Sequence, residues 1–212
     1  MRKLTQFTIV ALLLTVANTA SADSDSILSF GIGTSFAVNQ VTPLNSEPVT
    51  AFSNEIGIKS RFLHVLAVEF AYSPTDRVDT EEQLVFNSTY RFSGLLYIVP
   101  TYPVGLYLKG GVGAGDISEL FDLEAATTSY HAGAGLDFHI GDHFVVGAEF
   151  LLLLPGVQSI RSTMSEYANE ELSRYQNRSV DTPYEGPEHD LGVEDFISAN
   201  NFRVAVNARY FF

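Results

Sequence analysis

The chain ends with the stretch Phe202-Arg-Val-Ala-Val-Asn-Ala-Arg-Tyr-Phe-Phe212, and this stretch decides the fold. Its even positions are all apolar or aromatic, whereas its odd positions include Arg203, Asn207 and Arg209. A period of two is that of a β-strand, whose successive side chains point to opposite faces. A strand with an apolar outer face and a polar inner face is the repeating unit of a β-barrel that spans a membrane.

The first 22 residues have the pattern of a secretory signal. Arg2 and Lys3 provide a positive start, residues 7–17 form an apolar core, and Ala20-Ser21-Ala22 matches a cleavage site. The apolar core is shorter than the ~20 residues that a membrane-spanning helix needs. We therefore expect Met1–Ala22 to be removed and residues 23–212 to form one barrel domain.

Period-two patterns recur along the rest of the chain and predict eight strands. The predicted strands are Leu28–Val38, Phe52–Phe62, Leu66–Ser73, 84–99, Val104–Ala114, Thr128–Ile140, Phe144–Leu154 and 202–212. Long connections at 39–51, 74–83, 115–127 and 155–201 alternate with short turns. Outer-membrane barrels have this asymmetry, with short turns on the periplasmic side and long loops outside. An even number of strands also places both termini on one side.

A soluble barrel or sandwich is the alternative fold, because its strands also alternate. In that fold the apolar face would point inward. The non-apolar face of this chain is rich in Gly, Ala and Ser with few charges. Such residues suit a narrow, crowded lumen better than an open surface, so the pattern favours the membrane barrel.

The fourth predicted strand contains a change of phase. Its apolar residues form two sets of opposite phase, which are Leu84, Phe86, Tyr90 and Phe92, then Leu95, Tyr97 and Val99. The change near Ser93-Gly94 predicts a β-bulge, in which one extra residue shifts the register. The alternative is a strand that ends at Phe92 and is followed by a long turn. The bulge is preferred because 100–103 then forms a short turn.

The composition excludes several classes of protein. The formal net charge is −13, and the acidic residues are concentrated in the long connections. Nucleic-acid binding is disfavoured, because contacts to phosphates need a basic surface. The chain has no Cys, so disulfides do not stabilise it. A closed barrel provides another source of stability, since it pairs its backbone groups and leaves no open edge.

The last long connection is strongly acidic, with nine acids against three arginines in residues 155–199. Thr163-Met164-Ser165-Glu166 matches a capping box, which predicts a short helix over Glu166–Arg178. The alternative is an additional hairpin in this segment, which would make ten strands. The segment shows little period-two signal, so eight strands are retained.

Ten charged residues share the inward phase of the predicted strands. They are Glu55, Lys59, Arg61, Glu69, Arg91, Lys109, Asp137, Glu149, Arg203 and Arg209. An eight-stranded barrel is just wide enough for side chains to fill it, and unpaired buried charges are costly. The pattern therefore favours a salt-bridged, closed lumen over the alternative of a narrow polar pore. We expect His131 and His139 to be hydrogen-bonded residues of the lumen and not metal ligands.

The chain resembles the small outer-membrane barrels of Gram-negative bacteria, namely the OmpA-type transmembrane domain and the opacity-type porin-like surface proteins. The resemblance rests on the signal Met1–Ala22, Tyr107-Leu-Lys-Gly-Gly-Val-Gly-Ala-Gly115, Ala132-Gly-Ala-Gly-Leu-Asp137 and Asn207-Ala-Arg-Tyr-Phe-Phe212. It implies an all-β, eight-stranded antiparallel up-and-down transmembrane barrel in the outer membrane, with periplasmic termini and a long acidic last extracellular loop.

The resemblance also implies partners. The terminal aromatics Tyr210 and Phe212 look like the assembly signal that the barrel-assembly machinery reads. The implied partners are that machinery, periplasmic chaperones, outer-membrane lipid and lipopolysaccharide. We expect the protein to be a monomer.

The expected function is that of an outer-membrane structural or surface protein, a surface antigen that displays acidic loops. The alternative is a narrow OmpW-type channel or transporter for small apolar or polar solutes. Barrel enzymes of the lipid A deacylase type have a His and a Ser two residues apart, and no His-x-Ser occurs in this sequence. His189-Asp190 alone is weak evidence for a protease. We expect no catalytic site.

We also expect no cofactor and no metal site. The acidic segments 76–82 and 185–195 are the best candidates for a cation site, but they lack the spacing of a calcium loop. A solvated acidic surface is the preferred interpretation.

Overall fold

The structure is a computed structural model, and it describes residues 28–42, 47–74, 77–79, 84–122, 124–125, 128–177 and 201–212. Ten strands are present in this part of the chain. They are β1 (Leu28–Val41), β2 (Val49–Phe62), β3 (Leu66–Tyr72), β4 (Arg77–Asp79), β5 (Leu84–Asn87), β6 (Tyr90–Pro100), β7 (Val104–Ala114), β8 (Ser129–Ile140), β9 (Phe144–Pro155) and β10 (Phe202–Phe211).

Eight of these strands form a closed antiparallel barrel in the order β1-β10-β9-β8-β7-β6-β3-β2. The short strands β4 and β5 pair with each other in a separate two-stranded sheet. Each barrel strand pairs with the next barrel strand along the chain, and the last strand pairs with the first. The predicted eight-stranded up-and-down barrel is therefore confirmed.

The seam between β1 and β10 closes the barrel. It runs from the pair Gly31 and Phe211 to the pair Gln40 and Phe202. At its end the backbone N–H of Phe212 donates to the carbonyl of Phe30 at 2.8 Å. Closure removes the open edges that a flat sheet would leave, as a strand-built structure in hydrocarbon requires.

The faces of β10 have the orientation that its sequence pattern predicts. Val204 and Val206 are 44% and 57% exposed, whereas Arg203 and Arg209 are 0% and 3% exposed. The apolar side therefore faces outward and the charged side faces the lumen. This arrangement excludes the soluble fold, in which the apolar side would be buried.

The fourth predicted strand is the main departure from the sequence analysis. It is two strands, because β5 ends at Asn87 and pairs with β4, while β6 begins at Tyr90. The predicted bulge at Ser93-Gly94 is wrong, and so is the alternative of a strand that ends at Phe92.

Alternation continues through the middle of β6, so that Leu95 and Tyr97 are buried inside and Leu96 is exposed outside. The register with β7 shifts between Tyr97 and Val99 instead. The bulge prediction is wrong because part of the lumen is apolar. Leu95 and Tyr97 face inward and pack with Ala67 and Tyr107.

The last long connection begins with a helix, α1, over Val157–Asn177. The prediction of a helix was correct, but its predicted start at Glu166 is wrong. The helix begins directly after β9, where the N–H of Ile160 bonds the carbonyl of Gly156 at 3.1 Å, so Thr163 lies inside the helix and does not cap it. Among the residues that the structure describes, no helix combines the length and the apolar composition needed to cross a membrane.

Several predictions lie outside the described residues. These are the signal Met1–Ala22, the acidic segment 185–195, most of the segment 76–82 and the question of a hairpin in 178–200. The first long connection is shorter than predicted, because β1 extends to Val41 and β2 begins at Val49. The short turns 63–65, 101–103 and 141–143 lie at the same end of the barrel as Leu28 and Phe212.

Candidate functional site: the charged lumen

The structure places all ten predicted inward charges on the inner face of the barrel wall. Nine of them expose 5% or less of their surface. The tenth is Arg61, near the end with the short turns, and its side chain is 13% exposed. The strands bring these residues together because inward positions alternate with outward ones on every strand.

The group nearest the short turns is built around Asp137 on β8. Its Oδ2 lies 3.2 Å from Nζ of Lys59 and 3.3 Å from Nη2 of Arg61. The hydroxyl of Tyr97 donates to the same oxygen at 2.6 Å. The guanidinium of Arg61 lies 4.5 Å from the centre of the Tyr97 ring and 5.2 Å from that of Phe211. The buried ring of Phe211 therefore lies beside this group at the end of the lumen.

The middle group is centred on Glu69 of β3. One carboxylate oxygen lies 2.6 Å from Nζ of Lys109, and the other lies 2.6 Å from Nη2 of Arg209. Lys109 also contacts Glu149 at 2.9 Å. Nζ of Lys59 lies 3.9 Å from Glu69 and so connects the middle group to the group around Asp137.

The third group lies toward the end with the long loops and is centred on Glu55 of β2. Its carboxylate contacts Arg91, and it lies 3.0 Å from Nη2 of Arg203. Nη1 of Arg203 donates to Oδ1 of Asn39 at 3.2 Å and to Oγ of Ser53 at 3.0 Å. Nε of Arg203 is 4.0 Å from Glu149, which joins this group to the middle group.

These contacts form one continuous chain of ion pairs along the lumen. Each of the four carboxylates lies within 4.0 Å of at least two cations, so no buried anion lacks a partner within this set. Burying such groups is tolerable only when they are paired, as these four carboxylates are. The side chains of Lys59, Asp137 and Arg203 have no solvent-accessible surface.

Glycines make room for the large side chains of the lumen. A Cβ at Gly135 would overlap the ring of Tyr107, and a Cβ at Gly147 would lie 2.8 Å from Oδ1 of Asp137. These glycines of β8 and β9 are thus explained by the side chains that they face. Small residues on the wall allow long charged side chains to cross the lumen.

Toward the loops, an apolar layer lies in the lumen. Val41 and Leu153 are buried there and pack with Val49 and Ala51. The lumen therefore has an apolar layer near one end, the ring of Phe211 near the other, and the ion pairs between them.

The sequence analysis missed one important residue of the network. Tyr97 connects three charged groups, because its hydroxyl also accepts from Lys59 at 3.3 Å and from Arg61 at 3.0 Å. The predicted bulge places Tyr97 on the outer face, together with Phe92. Continuing the phase of Arg91 and Ser93 through Gly94 would have placed it inside.

Both predicted lumen histidines make polar contacts. Nε2 of His131 lies 2.8 Å from Oγ of Ser93, and Nε2 of His139 lies 3.0 Å from Nη1 of Arg61. Within the described ranges, no three His, Asp or Glu side chains come together in a way that would hold a metal ion.

The two terminal aromatics lie outside the barrel. Tyr210 and Phe212 are 46% and 41% exposed, and their ring centres are 5.3 Å apart in an edge-to-face arrangement. They lie at the end with the short turns.

Comparison with known proteins agrees with this architecture. No curated protein matches the chain. The family model described as "Outer membrane protein beta-barrel domain" matches residues 8–209, which is most of the chain. The chain therefore belongs to the outer membrane protein beta-barrel domain family, and it is an outer-membrane barrel protein.

Proposed function

We propose that this protein is a structural and surface protein whose barrel is closed to solutes and anchors acidic loops on the cell surface. The observation that carries the proposal is the continuous chain of ion pairs through the lumen. Its central members Lys59, Asp137 and Arg203 are packed on all sides. A solute would have to break several charge-assisted contacts to pass.

Conductance of the purified, folded protein in planar bilayers tests the closed lumen. We expect no reproducible open steps at ordinary voltages. A variant that carries Glu55→Ala, Arg91→Ala and Arg203→Ala together removes only the group nearest the loops, so it should also stay closed, because the other two groups remain. Reproducible open steps from the unmodified protein would refute the closed barrel and support the narrow channel.

The proposed orientation places the short turns and both termini in the periplasm and the long loops outside. It is supported by the usual asymmetry of such barrels and by the acidic residues of the long connections. The connection between β7 and β8 alone contains Asp116, Glu119, Asp122 and Glu124.

Cysteine labelling tests this orientation cleanly, because the chain has no Cys of its own. Glu124→Cys lies in a long loop, and Asp142→Cys lies in a short turn. A membrane-impermeant maleimide applied to intact cells should label the first variant and leave the second unlabelled until the cells are lysed. If intact cells label Asp142→Cys and not Glu124→Cys, the barrel has the opposite orientation.

The proposal includes no catalytic activity. Ser93 and His131 are hydrogen-bonded, but both are buried in the lumen, with 2% and 4% exposure, where a lipid substrate has no access. Mass spectrometry of lipid A from cells with and without the protein tests this point. An altered acyl content would show that the protein modifies lipid.

The proposed partners follow from the same function. They are outer-membrane lipid and lipopolysaccharide around the wall, and the barrel-assembly machinery and periplasmic chaperones during assembly. The protein is proposed to act as a monomer.

A further inference from the structure

One side of the outer wall contains a groove of about 680 Å³ over β3, β6, β7 and β8, bordered by the end of β2. Gly94 and Gly110 face each other across the β6–β7 pair, and Gly110 faces Ala132 across the β7–β8 pair. The larger side chains that border this groove are Phe62, Leu66, Val68, Leu96 and Leu108. Leu96 and Leu108 are 46% and 48% exposed, so the groove opens on the lipid-facing side.

Three glycines line the groove, and two of them, Gly94 and Gly110, are not required by packing within the protein. A Cβ at Gly94 would meet no atom within 4 Å, and a Cβ at Gly110 would meet only the carbonyl of His131 at 3.8 Å. Gly111 differs, because a Cβ there would overlap the backbone of β6. Glycine inside a strand lowers stability relative to Ala, because it loses more conformational freedom on folding. Gly94 and Gly110 therefore lower the stability of the strands, and no contact within the protein requires glycine at these positions.

The loop after β7 continues this surface toward the long-loop end. Phe121 and Ile117 are 71% and 49% exposed, although Leu120 between them is buried at 1%. The ring of Phe121 stands edge-to-face with that of Phe92, with centres 5.5 Å apart. Phe92 lies on the outer face of β6, two residues before Gly94. Exposed aromatic side chains at the end of a membrane barrel lie at the boundary of the bilayer.

We propose that the groove and the exposed side chains of this loop together bind one acyl chain of an outer-leaflet lipid. The groove is continuous with the lipid-facing wall, and its lining is almost entirely apolar. Outward-facing side chains recur every ~7 Å along a strand, so the row that Gly94 and Gly110 leave without side chains is a gap about that wide. A gap of that size admits one hydrocarbon chain, whereas a helix of a partner protein is ~10 Å across. A second barrel presents a convex wall that does not enter it.

The choice of leaflet rests on the proposed orientation, because it assumes that the loop after β7 is outside. The binding of an acyl chain does not depend on whether the lumen conducts. A failure of the closed-barrel proposal in the conductance experiment would therefore leave this inference untouched, and the reverse is also true.

Lipid retention tests the groove. The double variant Gly94→Leu, Gly110→Leu fills the groove, and because a Cβ at either position comes no closer than 3.8 Å to another atom, it should fold. Ala148→Leu is the matched control, because Ala148 is exposed on the outer face of β9 and is not part of the groove. Folding of each variant is checked by its heat-modifiable mobility on a gel.

Native mass spectrometry of protein released from phospholipid nanodiscs then counts retained lipid. We expect wild type and Ala148→Leu to retain one lipid, and the double glycine variant to retain it severalfold less often. Equal retention by all three proteins, or no retention by wild type, overturns the proposal.

Tryptophan fluorescence tests the loop, because the chain contains no Trp and a single introduced Trp is the only reporter. Phe121→Trp is compared with Met164→Trp, which is 51% exposed on α1. In phosphatidylcholine vesicles with brominated acyl chains, Phe121→Trp should be strongly quenched and Met164→Trp weakly quenched. Equal weak quenching of both variants overturns the proposal.

Discussion

Replacing Glu69 by Gln removes one charge from the middle of the lumen without changing the size of the side chain. Glu69 contacts both Lys109 and Arg209 at 2.6 Å and is 2% exposed. After the substitution, Lys109 keeps the carboxylate of Glu149 at 2.9 Å, whereas Arg209 loses its ion pair and keeps hydrogen bonds to neutral groups such as Asn207 at 2.8 Å. The variant therefore leaves a buried cation without its ion pair.

Breaking a buried ion pair on one side costs ~3–5 kcal/mol, so we expect Glu69→Gln to lower the free energy of unfolding by about that amount. Glu124→Gln is the matched control, because Glu124 is exposed in the loop between β7 and β8, and it should change stability by at most ~0.5 kcal/mol. Urea titration of barrels in lipid vesicles, followed by circular dichroism, measures both values under reversible conditions.

A double-mutant cycle separates the ion pair from other effects. Removing Arg209 as well, by Arg209→Met, eliminates the unpaired cation, so the combined loss should be smaller than the sum of the single losses by ~0.5–3 kcal/mol. Strict additivity of the two substitutions, or a Glu69→Gln variant as stable as Glu124→Gln, would refute the reasoning.

Three further predictions follow from the wall and the seam. Gly133→Val should prevent folding, because its side chain would overlap the backbone of Phe150 and Leu151. Gly94→Val is the control and should fold, because a Cβ there meets no atom within 4 Å. The fraction of heat-modifiable protein after refolding measures both. Val206→Arg places a charge on the lipid face, where Val206 is 57% exposed, and should cost ~2–4 kcal/mol near the midplane in the same urea titration. Deleting Phe212 removes the bond to the Phe30 carbonyl and the contact with Tyr210, and should lower the amount of barrel in cell membranes; normal yields on immunoblots would contradict the assignment of Phe212 to the assembly signal.

Most of the fold was predictable from sequence because alternation reports the face of each residue directly. β10 shows this best, since its apolar and charged sets are cleanly separated and the structure orients them as expected. β6 is the exception, because alternation of apolar and polar residues does not report its faces correctly. Leu95 and Tyr97 are apolar or aromatic but face the lumen, so the rule that apolar residues face outward produced a false bulge.

The start of α1 could not be predicted for a different reason. The capping-box pattern at Thr163–Glu166 is a local signal, and such signals also occur inside helices. The chain passes from β9 into the helix at Pro155-Gly156 without a side-chain cap of the usual kind.

The inward phase also identified the charged residues of the lumen, but not their partners. Phase specifies the face of a residue and not its height or its distance across the barrel. Glu55 on β2 meets Arg91 on β6 and Arg203 on β10, which are 36 and 148 residues away in the chain. The distances between these side chains across the barrel depend on strand tilt and register, which only the closed barrel defines.

The position of two of the six lumen cations on the final strand has a consequence for biogenesis. Arg203 and Arg209 are synthesised after the other barrel strands, and they neutralise Glu55 and Glu69, which lie on β2 and β3. Until β10 joins β1, the nascent sheet has both an unpaired edge and two carboxylates short of counter-charge. Docking of β10 supplies the missing hydrogen bonds and the missing arginines in the same event, so a barrel without β10 lacks both.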